Sequence, residues 1–148
     1  RPVAAMDYFY TSKIRGWFAN NIIGIIPVKR GSGKEGGNPL QLAEEALDRG
    51  EILVLFPEGT RGEPETLQAF KKGIGHLAHA RPKVPVVPIF LHGLGKALPR
   101  GSMLLVPFNV TVNVGEPLYG TESYAEFVSK LERAMTLLAA EEKLPAWE

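Results

Sequence analysis

A short polar segment behind an apolar run holds the residues whose types could do chemistry. Glu58, Gly59, Thr60 and Arg61 lie just past residues 52–56, after Pro57. Ligands of α/β sheets bind where parallel strands end. The planar guanidinium of Arg61 matches phosphate oxygens. Glu58 can accept hydrogen bonds from hydroxyl groups or hold Arg61 in place. Gly59 lets the backbone approach a ligand closely, and Thr60 adds a hydroxyl donor. These types favour a phosphorylated polyol as ligand; the alternative is a surface turn with a weak ion pair.

Further basic residues could reach the same place. Lys71 and Lys72 fall at the start of a helix predicted from about Leu67 to Ala80. A helix N-terminus favours anions and disfavours lysines, so two lysines at this position indicate an anionic partner. Arg30 follows a short apolar segment that reads as a strand. We therefore predict that Arg30, Arg61, Lys71 and Lys72 converge, the alternative being solvated surface side chains.

The elements that must position these residues alternate between helices and strands. Residues 52–56 form a continuous apolar run, which predicts a strand buried on both faces of a parallel sheet. Ser123 and Glu126 have the spacing of a capping box before the clearest helix. The resulting order predicts an α/β fold with a mainly parallel sheet flanked by helices. Other predicted strands are 25–28, 84–90, 103–107 and 110–114, and other predicted helices are 14–23 and 39–49.

Composition narrows the class of protein. The 148 residues suit one domain with one core. The 17 basic and 16 acidic residues give a net charge of +1, which offers no support for nucleic-acid binding. There is no cysteine, so disulfides, thiolate metal sites and a cysteine nucleophile are excluded. No stretch reaches the roughly 18 to 20 apolar residues of a membrane-spanning helix.

Several segments, in order, resemble a known family. Residues 56–61 (FPEGTR), 70–73 (FKKG) and 84–89 (VPVVPI) resemble three successive blocks of the glycerolipid acyltransferases, which include 1-acyl-glycerol-3-phosphate acyltransferases. Residues 24–30 (GIIPVKR) resemble the block before these, with Arg30 in the place of its basic residue. The resemblance implies a single acyltransferase-like domain over residues 1–148, incomplete at its N-terminal side.

The resemblance also implies a reaction. A long-chain acyl group would pass from coenzyme A or acyl carrier protein to the free hydroxyl of a lysophospholipid such as 1-acyl-glycerol-3-phosphate, with no cofactor besides this co-substrate. The acceptor would be met at a membrane surface, by a cytoplasmic protein bound or anchored to the cytoplasmic face. The substrate-binding residues it implies are Arg30, Glu58, Gly59, Thr60, Arg61, Lys71 and Lys72.

The sequence departs from the family pattern at the catalytic pair. The family uses a histidine with an aspartate five positions later as general base. Of the three histidines His76, His79 and His92, none has an acidic residue five positions on, and none has metal ligands at a suitable spacing. We therefore expect the pair upstream of Arg1. The alternatives are a non-catalytic relative that binds anionic lipid or phosphate, and a soluble phosphosugar or nucleotide enzyme.

Overall fold

Short strands and helices alternate along the chain. The computed structural model describes residues 1–5, 17, 24–28, 38, 40–59, 67–93 and 109–141. The elements in these ranges are β1 (Val3–Ala5), β2 (Ile26–Val28), α1 (Gln41–Asp48), α2 (Gly73–Ala80), β3 (Ile89–His92), β4 (Thr111–Val114) and α3 (Tyr124–Ala140). The helix predicted over 14–23 and the strand predicted over 103–107 lie outside the described residues, apart from Trp17.

The first of two sheets is parallel, as the sequence predicts. β1 pairs in parallel with β2, with Val3 opposite Ile26. On the other side of β1, Val54 forms a parallel bridge with Pro2, and the Val3 N–H donates to the Val54 carbonyl at 2.9 Å. β1 therefore lies between β2 and the segment around Val54, and all three run the same way. The α/β class of the fold is confirmed.

The second sheet is antiparallel. β3 pairs with β4, with Ile89 opposite Val114, and a further antiparallel bridge joins Val86 to Leu118. The strand predicted over 84–90 begins only at Ile89, because proline has no N–H to donate to a ladder and Pro88 directly precedes this position. The described strands thus form two separate two-stranded sheets, a parallel one of β1 and β2 and an antiparallel one of β3 and β4.

The core lies where the helices α2 and α3 pack against the strand segments. Phe127 is fully buried, and it clusters with Phe70, Ile74, Ala78 and Leu131. α3 begins where its sequence predicts, because the Ser123 hydroxyl accepts the Glu126 N–H while the Glu126 side chain accepts the Ser123 N–H. This reciprocal cap satisfies two backbone donors that the first turn of a helix leaves open.

The first helix also follows its sequence pattern. Ala43 and Ala46 are fully buried on one face of α1. Gly50 has a φ of +76°, which is the left-handed conformation that commonly ends a helix. The guanidinium of Arg81, just after α2, makes two 2.7 Å hydrogen bonds to the carboxylate of Asp48 and so ties the ends of α1 and α2 together.

Each group of strands has apolar residues open to solvent. The prediction that residues 52–56 are buried on both faces is wrong, since Ile52 is 81% and Phe56 is 67% exposed. Leu55, whose side chain points the other way, packs against the core. The same division holds in β3 and β4, where Phe90 is buried and Val112 and Val114 are 54% and 62% exposed. Among the described residues, the helices cover only one face.

Candidate functional site

The predicted phosphate-binding residues begin in a tight turn of residues 56–59. The Gly59 N–H donates to the Phe56 carbonyl at 3.0 Å, which closes the turn. Gly59 has a φ of +66°, a conformation that side chains with a Cβ disfavour. Glu58 is half-buried, whereas Gly59 is exposed. The turn follows the segment that bridges β1, so Glu58 lies beyond the C-terminal end of a parallel strand segment.

Lys71 lies directly against this turn. Its N–H donates to the Pro57 carbonyl at 2.8 Å. Its side chain passes over Gly59, since a Cβ built on Gly59 would lie 3.2 Å from Lys71 Cγ and 3.8 Å from Lys71 Cε. The structure therefore brings Glu58, Gly59 and Lys71 together, although twelve positions separate Gly59 from Lys71 in the sequence.

The segment before Lys71 is held from a distant part of the chain. The Phe70 side chain is buried in the core, and the Phe70 N–H donates to Glu132 Oε1 of α3 at 2.9 Å. The helix predicted from Leu67 begins only at Gly73. The Lys71 N–H, which would bond to the Leu67 carbonyl in the longer helix, donates to Pro57 instead. Glu132 was missed by the sequence reasoning; its one signal is a charged side chain beside the buried residue Leu131.

Lys72 flanks the N-terminus of α2. It occupies the N-cap position, no side chain caps the helix, and the first turn carries no acidic residue. Within the described ranges, neither Glu58, Lys71 nor Lys72 has an ion-pair partner. The positive end of the helix and two exposed lysines therefore give this place an electrostatic preference for an anion.

Three predicted site residues, Arg30, Thr60 and Arg61, lie outside the described residues. Their convergence with Lys71 stays a prediction.

The histidines on α2 have structural contacts. The His76 ring stacks on Tyr124 with centroids 4.3 Å apart, and His79 Nδ1 lies 3.0 Å from the Glu122 carbonyl oxygen. The partner of His79 is thus a backbone carbonyl, where a catalytic pair would have a carboxylate. No cluster of side chains suited to a metal ion occurs in the described part of the chain.

The turn, the two lysines beside it and the N-terminus of α2 together form a candidate anion site beyond the end of a strand segment. The family model described as Acyltransferase matches residues 1–92. This chain belongs to the acyltransferase family, which confirms the resemblance seen in the sequence.

Similar proteins agree with this assignment. The chain is 36% identical over 128 residues to a chloroplastic 1-acyl-sn-glycerol-3-phosphate acyltransferase of Brassica napus, and 38% identical over 128 residues to one of Arabidopsis thaliana. Each match covers 84% of this chain but only 37% and 35% of these relatives. The chain thus spans little more than a third of their length.

A solved structure shares the fold. The crystal structure of PlsC, the 1-acyl-sn-glycerophosphate acyltransferase of Thermotoga maritima, matches with a TM-score of 0.71 at 22% identity. The match covers 99% of this chain and 58% of that one. Among the described residues, no helix is both long and apolar enough to cross a bilayer.

Proposed function

We propose that the protein carrying this chain transfers a long-chain acyl group from a thioester to the free hydroxyl of 1-acyl-glycerol-3-phosphate. Family membership and the names of the two plant relatives support this acceptor. The single observation in the structure that carries the proposal is the contact of Lys71 with the 56–59 turn. It lays the Lys71 side chain over the turn that carries Glu58, beyond the C-terminal end of a strand segment, and these residue types suit a phosphorylated polyol.

Each residue has a proposed role at this edge. Lys71 and Lys72 attract the phosphate of the acceptor, assisted by the positive end of α2. Arg61 and Arg30 add bidentate or single contacts to the same phosphate. Glu58 accepts a hydrogen bond from the glycerol part, while Gly59 and Thr60 shape the turn. This half of the site holds the acceptor with its free hydroxyl directed toward the thioester.

The proposed chemistry needs a base that these residues do not supply. A histidine, oriented by an aspartate five positions on, removes the hydroxyl proton as the oxygen attacks the thioester carbonyl. The carbon–sulfur bond then breaks, and the thiolate leaves with that proton as a free thiol. We propose that this pair lies upstream of Arg1. The donor is an acyl thioester of coenzyme A or of acyl carrier protein.

We place the reaction at a membrane surface, because the acyl chain of the acceptor partitions into bilayers. The two plant relatives are both named chloroplastic, so they lend no support to the cytoplasmic compartment expected from the sequence, which stays a prediction.

The test is acceptor-dependent thiol release by the protein that carries this chain. With 1-oleoyl-glycerol-3-phosphate as acceptor, Lys71→Ala should raise the acceptor KM by roughly 10- to 100-fold, since a hydrogen bond to a charged group contributes about 1.5 to 3 kcal/mol. Lys83→Ala removes an exposed lysine beyond the other end of α2 and is the matched control. Thiol release that ignores the acceptor, or equal effects of the two variants, would contradict the proposal.

The same assay tests the role of Arg61 and the identity of the acyl donor. Arg61→Ala should also raise the acceptor KM, and an unchanged KM would remove Arg61 from the phosphate contacts. Parallel reactions with oleoyl coenzyme A and oleoyl acyl carrier protein identify the donor. Binding of the acceptor without any transfer from either donor would instead indicate a lipid-binding relative.

A further inference from the structure

We propose that Glu132 is a positioning residue, which holds the segment bearing Lys71 against the 56–59 turn. Glu132 lies on α3, 61 positions after Lys71 in the sequence, and has no part in the family blocks. The inference deepens the proposed function, on which the role of Lys71 in acceptor binding rests.

Glu132 and the core together fix Phe70. The Glu132 carboxylate accepts the Phe70 N–H at 2.9 Å in a half-buried place. The Phe70 ring packs in the core cluster that also contains Leu131, the neighbour of Glu132 on α3. Phe70 is therefore attached to α3 through both its side chain and its backbone.

The next backbone amide faces the site. The Lys71 N–H donates to the Pro57 carbonyl at 2.8 Å, one position before Glu58. Two consecutive N–H groups thus bind to opposite sides, one to α3 and one to the turn. Residues 67–70 precede α2 and have no helical hydrogen bonds of their own. These two bonds therefore fix the backbone position from which the Lys71 side chain extends.

Helix α3 is a firm support for such a contact. Its first turn is capped by Ser123 and Glu126, and Phe127 is fully buried beneath it. A charge-assisted bond is stronger than one between neutral groups. Loss of this acceptor would leave the Phe70 N–H unpaired and would free the chain to shift.

Three variants and a control test the assignment in the protein that carries this chain. Glu132→Leu removes the acceptor and keeps the bulk, whereas Glu132→Gln keeps an acceptor oxygen. Glu132→Ala is the second deletion, in case leucine prevents folding. Glu116→Leu removes an exposed carboxylate that lies outside the helices and is the control. The measurements are hydrogen exchange at the Phe70 and Lys71 amides, the unfolding midpoint, and the dissociation constant of 1-oleoyl-glycerol-3-phosphate.

We expect Glu132→Leu and Glu132→Ala to speed exchange at both amides while the protein remains folded. We expect them to weaken acceptor binding by roughly 2- to 10-fold, less than Lys71→Ala does, because the charge remains and only the ordering of the freed lysine has to be supplied on binding. Glu132→Gln should restore most of the protection and the affinity, and Glu116→Leu should change neither.

The positioning role is overturned if both amides of the deletion variants exchange as in the wild type, or if affinity is unchanged. It is also overturned if neither deletion folds, since Glu132 would then support the fold as a whole. Failure of the proposed function gives a different result. The wild type would bind no 1-oleoyl-glycerol-3-phosphate, while the deletions would still speed exchange at Phe70 and Lys71.

Discussion

Replacing Gly59 by alanine tests whether the 56–59 turn and Lys71 act together. The φ of +66° at Gly59 lies in the left-handed region, where a Cβ costs about 1 to 2 kcal/mol. The added Cβ would also lie 3.2 Å from Lys71 Cγ, so the lysine side chain has to move by a few tenths of an ångström. We expect Gly59→Ala to lower stability and to displace Lys71 from the place where we propose it meets the phosphate.

Gly50 offers a matched control for the free-energy cost of placing a Cβ on a residue with a positive φ. Its φ of +76° gives the same penalty, but a Cβ at Gly50 meets no atom within 4 Å. Both variants should therefore lose about 1 to 2 kcal/mol of unfolding free energy. For a domain of this size, that corresponds to roughly 2 to 8 °C in the unfolding midpoint.

The acceptor KM distinguishes the two variants. Thermal unfolding and acyl transfer to 1-oleoyl-glycerol-3-phosphate are measured for both, with the donor held at saturation. Gly59→Ala should raise the acceptor KM, whereas Gly50→Ala should leave it unchanged despite a similar loss of stability. An equal KM in the two variants would show that the contact between Gly59 and Lys71 has no part in binding, and the assigned site would be wrong.

Three further predictions concern the fold. Ser123→Ala removes the hydroxyl of the α3 cap and should cost about 1 kcal/mol in denaturant unfolding, and an unchanged midpoint would contradict the role of the cap. The Arg81 guanidinium lowers the pKa of Asp48 below 3.8, so this carboxylate stabilises the fold above that pH and the contribution is lost as the pH falls through the lowered pKa. Unfolding midpoints at about pH 7 and pH 3 should therefore differ less in Asp48→Asn than in the wild type, by a small amount because the pair is exposed; an equal fall would refute this. Val112→Thr with Val114→Thr should reduce binding of the dye ANS by the open sheet face with little change in the unfolding midpoint, and unchanged dye binding would place the exposed apolar surface elsewhere.

Local signals in the sequence predicted much of the fold. The cap at Ser123 and Glu126, and the end of α1 at Gly50, depend on a few neighbouring residues and are confirmed. The burial of residues 52–56 was wrong because a run of apolar residues shows only that burial would be favourable. Which face is covered depends on which elements pack there, and that is a tertiary property.

The candidate site also has residues that the sequence could predict and one that it could not. The sequence singled out Glu58, Gly59 and Lys71 from residue types and from family blocks, and their contact required only that the 56–59 turn meet the segment before α2. Glu132 could not be found by spacing, because the bond joins Phe70 to a residue 62 positions away. Hydrogen bonds to backbone groups also leave little trace in residue identity, since any residue but proline can donate from the position of Phe70.

Contacts far apart in the sequence also restrict the position of Lys71 before the acceptor binds. The side chains proposed to contact the phosphate are long and exposed, and a lysine on the surface has much rotamer freedom to lose on binding. In this chain the backbone and the first side-chain carbons of Lys71 are held in place, which reduces that freedom. Its N–H binds Pro57, its neighbour Phe70 is fixed to α3, and its stem lies on Gly59. Part of the ordering cost is therefore met by the fold before the acceptor arrives, so changes at Gly59 or Glu132 should weaken acceptor binding without removing any charge that contacts the acceptor.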